Sequence, residues 1–252
     1  MTDDTPKRST IALISGVVVI AALLLAAVAV YPSDLSISDS LQQSQITRTG
    51  FGRTLQLLGK FDIAFCFMFF VCWATGNRRL LWRFGWAGAA SGIIVLLVKL
   101  AVARARPNGA PLSFPSGDTS IAFVWAVIIA VEYPLAAVPA LLAASTIGFM
   151  RVTAGLHYPS DVFAGAAIGF TAAEVAVYTI RNNVPRWFYR VTRRTRLGLL
   201  MVAFFLGGIA GRTVGSRYWP LVLAVVIVLV VMVPVLIAKR GAWAKLTRKP
   251  KT

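Results

Sequence analysis

The sequence predicts an all-α fold, a polytopic bundle of membrane-spanning helices. The chain has 252 residues, of which 58% are hydrophobic and only 14% are charged, and its mean hydropathy is +0.74. A soluble domain usually has about 25% charged residues. This composition therefore excludes a disordered chain, a secreted disulfide scaffold and an ordinary water-soluble enzyme. The apolar residues also fall in long runs, and a helix needs roughly 20 such residues to cross a bilayer.

Eight apolar runs have about the length of membrane-spanning helices. They are residues 11–31, 57–74, 84–102, 116–133, 134–150, 159–180, 197–210 and 219–238. We expect a core domain at residues 1–180, a basic linker at 181–196, and two further helices with a basic tail at 197–252. The first run is longer than the apolar segment of a typical signal peptide, so we expect it to remain as a helix. Residues 32–56 mix polar and apolar side chains, and we expect short helices there on the membrane surface.

The basic residues predict the orientation of the chain. A net charge of +17 in a soluble protein would suggest nucleic acid. Here the basic residues lie between apolar runs, so we expect a membrane surface and no nucleic acid. With the N-terminus inside, 17 Lys and Arg residues fall inside and 9 outside, which predicts a membrane protein with both termini cytoplasmic. The linker and tail also carry aromatic residues and are expected to contact anionic lipid headgroups, unless they only anchor the topology.

Charged and polar residues cluster at the outer ends of the third to sixth runs. Lys99 and Arg106 are seven residues apart and would share one face of a helix that Pro107 then ends. The stretch 115–118, Pro-Ser-Gly-Asp, precedes an apolar run, which is typical of a loop entering a helix. The free N–H groups and the dipole at such a helix start favour an anion.

A third cluster runs from Arg151 to Asp161 and contains His157, the only histidine of the chain. Pro159 suits the first turn of the next helix, which would bring Asp161 within reach of the imidazole. Together the clusters supply cations, backbone amides, an imidazole and carboxylates on one side of the membrane. These groups suit phosphoryl transfer, because cations neutralise phosphate oxygens and an imidazole can attack phosphorus. Each group alone has a simpler interpretation, such as a snorkelling cation or a capped turn.

In these clusters the sequence resembles the type 2 phosphatidic acid phosphatase superfamily. The motifs of that family are Lys-x6-Arg-Pro, Pro-Ser-Gly-His and Ser-Arg-x5-His-x3-Asp. They stand here as Lys99-x6-Arg106-Pro107, Pro115-Ser116-Gly117-Asp118 and Met150-Arg151-x5-His157-x3-Asp161. With its flanking helices the resemblance covers about residues 11–180, so it implies a six-helix phosphatase core to which the last two transmembrane helices are an addition.

The resemblance implies a role for each matching residue. The phosphate would be bound by Lys99, Arg106, Arg151, Ser116 and the amide of Gly117. His157 would be the nucleophile that forms a phosphohistidine, and Asp161 would orient it. The family acts on lipid phosphates and diphosphates without a metal ion. We therefore expect a membrane lipid phosphate as substrate, no metal, no cofactor, and an active site on the periplasmic side.

Two residues depart from the family pattern. Met150 replaces a serine, which removes one hydroxyl contact. Asp118 replaces the histidine that protonates the leaving group, and we expect the neighbouring cations to keep it ionised and therefore a weak general acid. A weak acid matters least when the leaving group needs little protonation. We therefore expect a polyprenyl diphosphate or a lipid A phosphate to be a better substrate than phosphatidic acid.

Three other functions are compatible with the same residues. A phosphotransferase would pass the phosphoryl group to another lipid instead of to water. A catalytically weak relative would bind lipid phosphates without turnover, which the missing motif histidine favours. A transporter would use Glu174, Asp62 and the arginines, although the cations gather at one surface and transport sites usually lie near the membrane midplane.

Overall fold

The structure, a computed structural model, describes residues 5–43, 61–180 and 184–185, and every regular element in these ranges is helical. The helices are α1 (Thr5–Val30), α2 (Asp34–Gln43), α3 (Phe61–Thr75), α4 (Arg78–Val102), α5 (Gly117–Glu132), α6 (Ala137–Thr153) and α7 (Pro159–Thr179). The predicted all-α fold is confirmed. The two additional C-terminal helices, the basic tail and nearly all of the basic linker lie outside the described residues.

Several helices are long and apolar enough to cross a membrane. The spanning stretches are Ser15–Gln42, Arg78–Val102, Pro134–Thr153 and Pro159–Thr179. The helices α3 and α5 are also apolar but have only 15 and 16 residues. Helix α5 packs against α4, α6 and α7, and its residues are mostly buried, as expected for a helix that is apolar on all sides. The chain is a multi-pass membrane protein built around α5.

The helix ends differ in detail from the predicted runs. Helix α4 begins at Arg78, before the predicted start at residue 84. Helix α6 begins only at Ala137, because Pro134–Ala136 form a 3₁₀ turn. The short helix expected in the first loop is present as α2.

Helices α5 and α7 approach closely because α7 carries glycines at their contact. A Cβ atom at Gly165 would lie less than 3.0 Å from the carbonyl oxygen of Ser116, and one at Gly169 would overlap the carbonyl oxygen of Ser120 in the same way. Small residues spaced four apart are typical of closely packed membrane helices. The hydroxyl of Ser120 also shares a 2.9 Å hydrogen bond with that of Ser91 in α4. These contacts fix the start of α5 against the start of α7.

A buried ion pair closes the opposite end of the bundle. Arg83 of α4 pairs with Glu132 at the end of α5, and its Nε donates to the carbonyl oxygen of Ile180 at 3.0 Å. The Nδ2 of Asn77 donates to Glu132 at 2.9 Å. Because Arg83 is only 5% exposed, it belongs to the protein interior.

Candidate active site

The candidate site begins where α4 ends, and here one sequence expectation is wrong. Helix α4 stops at Val102, because Ala103 adopts a left-handed conformation with φ of 47° and its N–H caps the carbonyl of Lys99 at 2.9 Å. Arg106 therefore lies in a loop and does not share a helix face with Lys99. The loop folds back on itself, since the N–H of Ser113 donates to the carbonyl of Arg104 at 2.7 Å.

The two cations of this first cluster nevertheless reach the same loop. The Nζ of Lys99 donates to the carbonyls of Leu112 and, at 3.2 Å, Ser113. The Nε of Arg106 donates to the carbonyl of Pro111 at 3.2 Å. Lys99 is also close enough to Arg106, and to Asp118, Arg151 and Asp161 of the other two clusters, for their charges to act on its ammonium group. The structure therefore brings these cations to one end of the bundle.

The second cluster forms the N-terminus of α5. Ser116 is the N-cap, and its buried hydroxyl shares a 2.8 Å hydrogen bond with that of Thr119. The hydroxyl expected to bind phosphate is thus engaged in the cap. The N–H groups of Gly117 and Asp118, in the first turn, have no acceptor within the helix. The N–H of Ser116 donates to the carbonyl of Asp161 at 2.9 Å, so the anion-binding end of α5 is tied to the start of α7.

Arg151 links the second cluster to the third. It lies in the last turn of α6, its side chain is 7% exposed, and its Nη2 pairs with Asp118 Oδ2 at 2.8 Å. Its Nε has no hydrogen-bond partner among the described residues. The amides of Leu156 and His157 both donate to the Arg151 carbonyl, at 3.1 and 3.3 Å. This turn holds the histidine beside the arginine.

His157 is 3% exposed and lies with its Nδ1 atom 3.4 Å from Oδ2 of Asp161. That separation is long for a hydrogen bond, and Oδ2 already accepts bonds from Ser113 Oγ and from the N–H of Tyr158, the latter at 2.8 Å. Burial lowers the pKa of His157 below its ordinary value, and the Asp161 carboxylate opposes that shift. Burial thus favours the neutral imidazole, which is the form that can act as a nucleophile.

Three residues that the sequence analysis did not single out complete the cluster. Arg104 pairs with Asp34 at 2.8 Å and with Asp161 at 3.0 Å, and Ser160 donates its N–H to Asp34 at 3.0 Å. The only signal in the sequence was the position of Arg104, two residues before Arg106 in a loop that already carried phosphate-site candidates. Asp34 had no sequence signal beyond its place at the start of the first loop.

Other charged groups lie apart from this cluster. Glu174 faces Gly16 of α1 and lines a mostly apolar cavity of about 420 Å³ with residues such as Val17 and Ile20. Within the described ranges, no group of three or more His, Cys, Asp or Glu residues is arranged to hold a metal ion. The described part of the chain gathers four cations, three carboxylates, backbone amides and one imidazole at the candidate site, and the cations and amides suit a phosphate.

Comparison with known proteins identifies a matching family model and similar sequences. The sequence model of the PAP2 superfamily matches residues 80–185. The chain is 36% identical over 115 residues to the lipid A 1-phosphatase of Porphyromonas gingivalis, covering 42% of this chain and 26% of that protein. It is 31% identical over 117 residues to the decaprenylphosphoryl-5-phosphoribose phosphatase of Mycobacterium tuberculosis, covering 40% of this chain and 63% of that protein.

A solved structure shares the fold. The crystal structure of Aquifex aeolicus LpxE aligns with a TM-score of 0.53 and 24% identity, covering 57% of this chain and 94% of that chain. The chain thus spans most of this solved structure but only 26% to 63% of the length of the two curated relatives.

Proposed function

Because residues 80–185 match the sequence model of the PAP2 superfamily, we propose that this chain is a membrane lipid phosphatase that works through a phosphohistidine at His157. The observation that carries the proposal is the buried imidazole, which lies 3.4 Å from Asp161 on a turn whose backbone is bonded to the Arg151 carbonyl. This turn lies at the same end of the bundle as the N-terminus of α5. The relatives named as lipid A 1-phosphatase and decaprenylphosphoryl-5-phosphoribose phosphatase support a lipid-linked phosphate as substrate.

In the proposed reaction, cations and amides first hold the phosphate. Lys99, Arg106 and Arg151 neutralise its oxygens, and the N–H of Gly117 at the start of α5 donates to it. The neutral Nε2 of His157 then attacks phosphorus, and the bond from phosphorus to the leaving oxygen breaks. The positive charge that develops on the imidazole is stabilised by the Asp161 carboxylate near Nδ1.

A second step releases the phosphate. Water attacks the phosphohistidine, the P–N bond breaks, and inorganic phosphate leaves with His157 neutral again. The leaving group of the first step takes its proton from Asp118 or from water. No metal ion takes part in this scheme, so turnover is expected to continue in the presence of a chelator.

Asp118 also bears on the choice of substrate. Its Oδ2 lies 2.8 Å from Nη2 of Arg151, so this oxygen accepts from a guanidinium and is not arranged to donate a proton to the leaving group. We therefore favour a polyprenyl diphosphate or a lipid A phosphate over phosphatidic acid. Asp118→His should increase turnover of phosphatidic acid more than that of a polyprenyl diphosphate. Preference of the unaltered protein for phosphatidic acid, with no change in the variant, would contradict this ranking.

We place the site on the periplasmic face of a bacterial inner membrane. The excess of basic residues in the predicted inside segments supports this orientation. All motif residues lie at the bundle end opposite the Arg83–Glu132 pair, which fits an active site on the outer surface. Labelling of single-cysteine variants with a membrane-impermeant reagent in intact cells tests the assignment.

A catalytically weak lipid-phosphate-binding protein is the second candidate. The ion pair between Asp118 and Arg151 favours it, because a carboxylate already occupies an arginine that the phosphate would need. The two candidates differ in turnover and not in binding.

The test is phosphate release by the full chain, purified in detergent, from a panel of lipid phosphates and diphosphates with and without chelator. We expect metal-independent release that is lost in His157→Ala and retained in Asp39→Asn, whose side chain is exposed on α2. A labelled intermediate that is stable in base and labile in acid should form only when His157 is present. Binding without release would support the weak relative, and dependence on a metal would contradict the histidine mechanism.

A further inference from the structure

A charged network lies behind the His157–Asp161 pair, outside the proposed phosphate site. Its centre is Arg104, whose Nη2 donates to Asp34 Oδ2 at 2.8 Å. Its Nη1 donates to Asp161 Oδ1 at 3.0 Å and to Ser160 Oγ at 2.9 Å. One guanidinium therefore bridges two carboxylates that are far apart in the sequence.

Aromatic rings also contact the Arg104 guanidinium, in addition to its hydrogen bonds to carboxylates. Its Cζ atom lies 3.9 Å from the ring centroid of Tyr158 and 4.8 Å from that of Tyr31, distances at which a cation is attracted to an aromatic face. The Arg104 side chain is 17% exposed. With both Nη atoms bound to carboxylates and the rings against its faces, Arg104 is not available to bind a phosphate.

Asp34 holds the network from the opposite side. It is the first residue of α2 and is 1% exposed. Besides the guanidinium, it accepts hydrogen bonds from the N–H of Ser160 at 3.0 Å and from the Ser160 hydroxyl. Asp34 thus ties α2 to the first turn of α7 and fixes one edge of Arg104.

The other edge of Arg104 fixes the orientation of Asp161. This carboxylate is fully buried, its Oδ1 accepts from Arg104, and its Oδ2 accepts from Ser113 and from the N–H of Tyr158. Oδ2 is also the oxygen that lies 3.4 Å from Nδ1 of His157. Without Arg104, Oδ1 would lose its charged donor and the carboxylate could rotate about its Cβ–Cγ bond.

We propose that Arg104 is a positioning residue: held by Asp34, it fixes Asp161 so that Oδ2 faces Nδ1 of His157. This inference rests on the proposed function, because it concerns the histidine assigned as nucleophile there. A lysine could not replace Arg104 fully, since a single ammonium group lacks the planar fork that bridges two carboxylates.

The first test separates positioning from phosphate binding by kinetics. We expect Arg104→Gln to lower kcat about 10- to 100-fold, as loss of a group that orients a catalytic histidine does. KM should change by no more than about twofold, because the cations proposed to bind phosphate are untouched. Arg104→Lys should recover part of kcat. Asp34→Asn should lower kcat in the same direction, whereas Asp39→Asn on the same helix should leave it unchanged.

The second test does not depend on turnover. Because His157 is the only histidine, protein labelled with ¹⁵N-histidine and purified without a histidine tag gives a single pair of imidazole signals. In the unaltered protein we expect the neutral ring to carry its proton on Nδ1, facing Asp161. In Arg104→Gln the signals should shift toward a mixture of the two tautomers, while Asp39→Asn should match the unaltered protein.

The outcomes distinguish the two proposals. Failure of the unaltered chain to release phosphate would overturn the proposed function, and the imidazole spectrum would still test the positioning role. A higher KM with an unchanged kcat in Arg104→Gln would mean that Arg104 binds the phosphate directly, which overturns the inference. A lower melting temperature and lower kcat with unchanged tautomer signals would assign Arg104 a purely structural role, and would overturn it as well.

Discussion

The close contact between α5 and α7 makes a single methyl group a strong test of the site geometry. In Gly165→Ala the new Cβ would lie less than 3.0 Å from the Ser116 carbonyl oxygen, where ordinary contacts begin at 3.4 Å. The obstacle is backbone and cannot move aside as a flexible side chain would. The N-terminus of α5 must therefore shift away from α7, which carries Asp161.

Gly165→Ala is expected to lower both the stability of the protein and the rate of the reaction. Overpacking of this kind destabilises a protein by about 1–3 kcal/mol. A displacement on the order of 1 Å between groups that act on the same substrate lowers a reaction rate about 100-fold. We therefore expect Gly165→Ala to reduce kcat/KM by up to about 100-fold. The assay is phosphate release by protein in detergent, with thermal unfolding measured on the same samples.

Two glycine variants serve as controls. Gly169→Ala introduces a similar clash with Ser120 one helical turn farther from the start of α7, and should lower stability comparably with a smaller loss of rate. Gly92→Ala meets nothing within 4 Å and should leave both unchanged or raise stability slightly. If Gly165→Ala matched Gly92→Ala in rate and melting temperature, the close helix contact and the coupling inferred from it would be wrong.

Three other features give predictions of their own. Burial lowers the pKa of His157 below 6.5, and only the neutral ring attacks phosphorus in the proposed mechanism. The acid limb of the pH profile of kcat/KM should therefore have its midpoint below pH 6.5. A midpoint above that value would contradict His157 as the nucleophile. Asp118→Asn removes the carboxylate that pairs with Arg151 and should tighten inhibition by inorganic phosphate by up to about fivefold, since a partly exposed ion pair contributes about 1 kcal/mol or less. Competition with substrate measures this inhibition, and weaker inhibition would show that the ion pair does not compete with phosphate. Glu132→Gln removes the carboxylate that pairs with the buried Arg83 and should destabilise the protein by about 3–5 kcal/mol without changing KM. Thermal unfolding and substrate titration measure the two effects, and a changed KM would mean that the two bundle ends are coupled.

Hydropathy was sufficient to predict the helical bundle, because a chain that spans a bilayer must satisfy its backbone hydrogen bonds within helices. The end of α4 could not be predicted in this way. Pro107 indicated an end near Arg106, whereas the helix stops at Val102. A left-handed residue without a glycine costs roughly 1–2 kcal/mol. The ion pairs of Arg104 with partners 57 and 70 residues away in the sequence help to offset that cost.

The motif residues could be selected from the sequence because their chemistry and spacing are local. His157 lies just before α7 and Asp161 lies in its first turn, so the short distance between them follows from their closeness in the sequence. Arg104 and Asp34 meet only through the packing of α2 against the start of α7, and no local pattern indicates such a contact. The Gly165-x3-Gly169 spacing was visible in the sequence, but its partner on α5 becomes evident only from the fold.

The ion pair of Asp118 joins the geometry of the site to the choice of substrate. In the proposed mechanism an incoming phosphate must displace this carboxylate from Arg151, and a more highly charged diphosphate competes better for the guanidinium than a monoester does. The carboxylate oxygen that accepts from Arg151 is not arranged to protonate a leaving group, and a phosphate leaving group needs little protonation. Aspartate in place of the family histidine thus favours diphosphate substrates both in binding and in bond breaking. An alkoxide leaving group would be disfavoured at both stages.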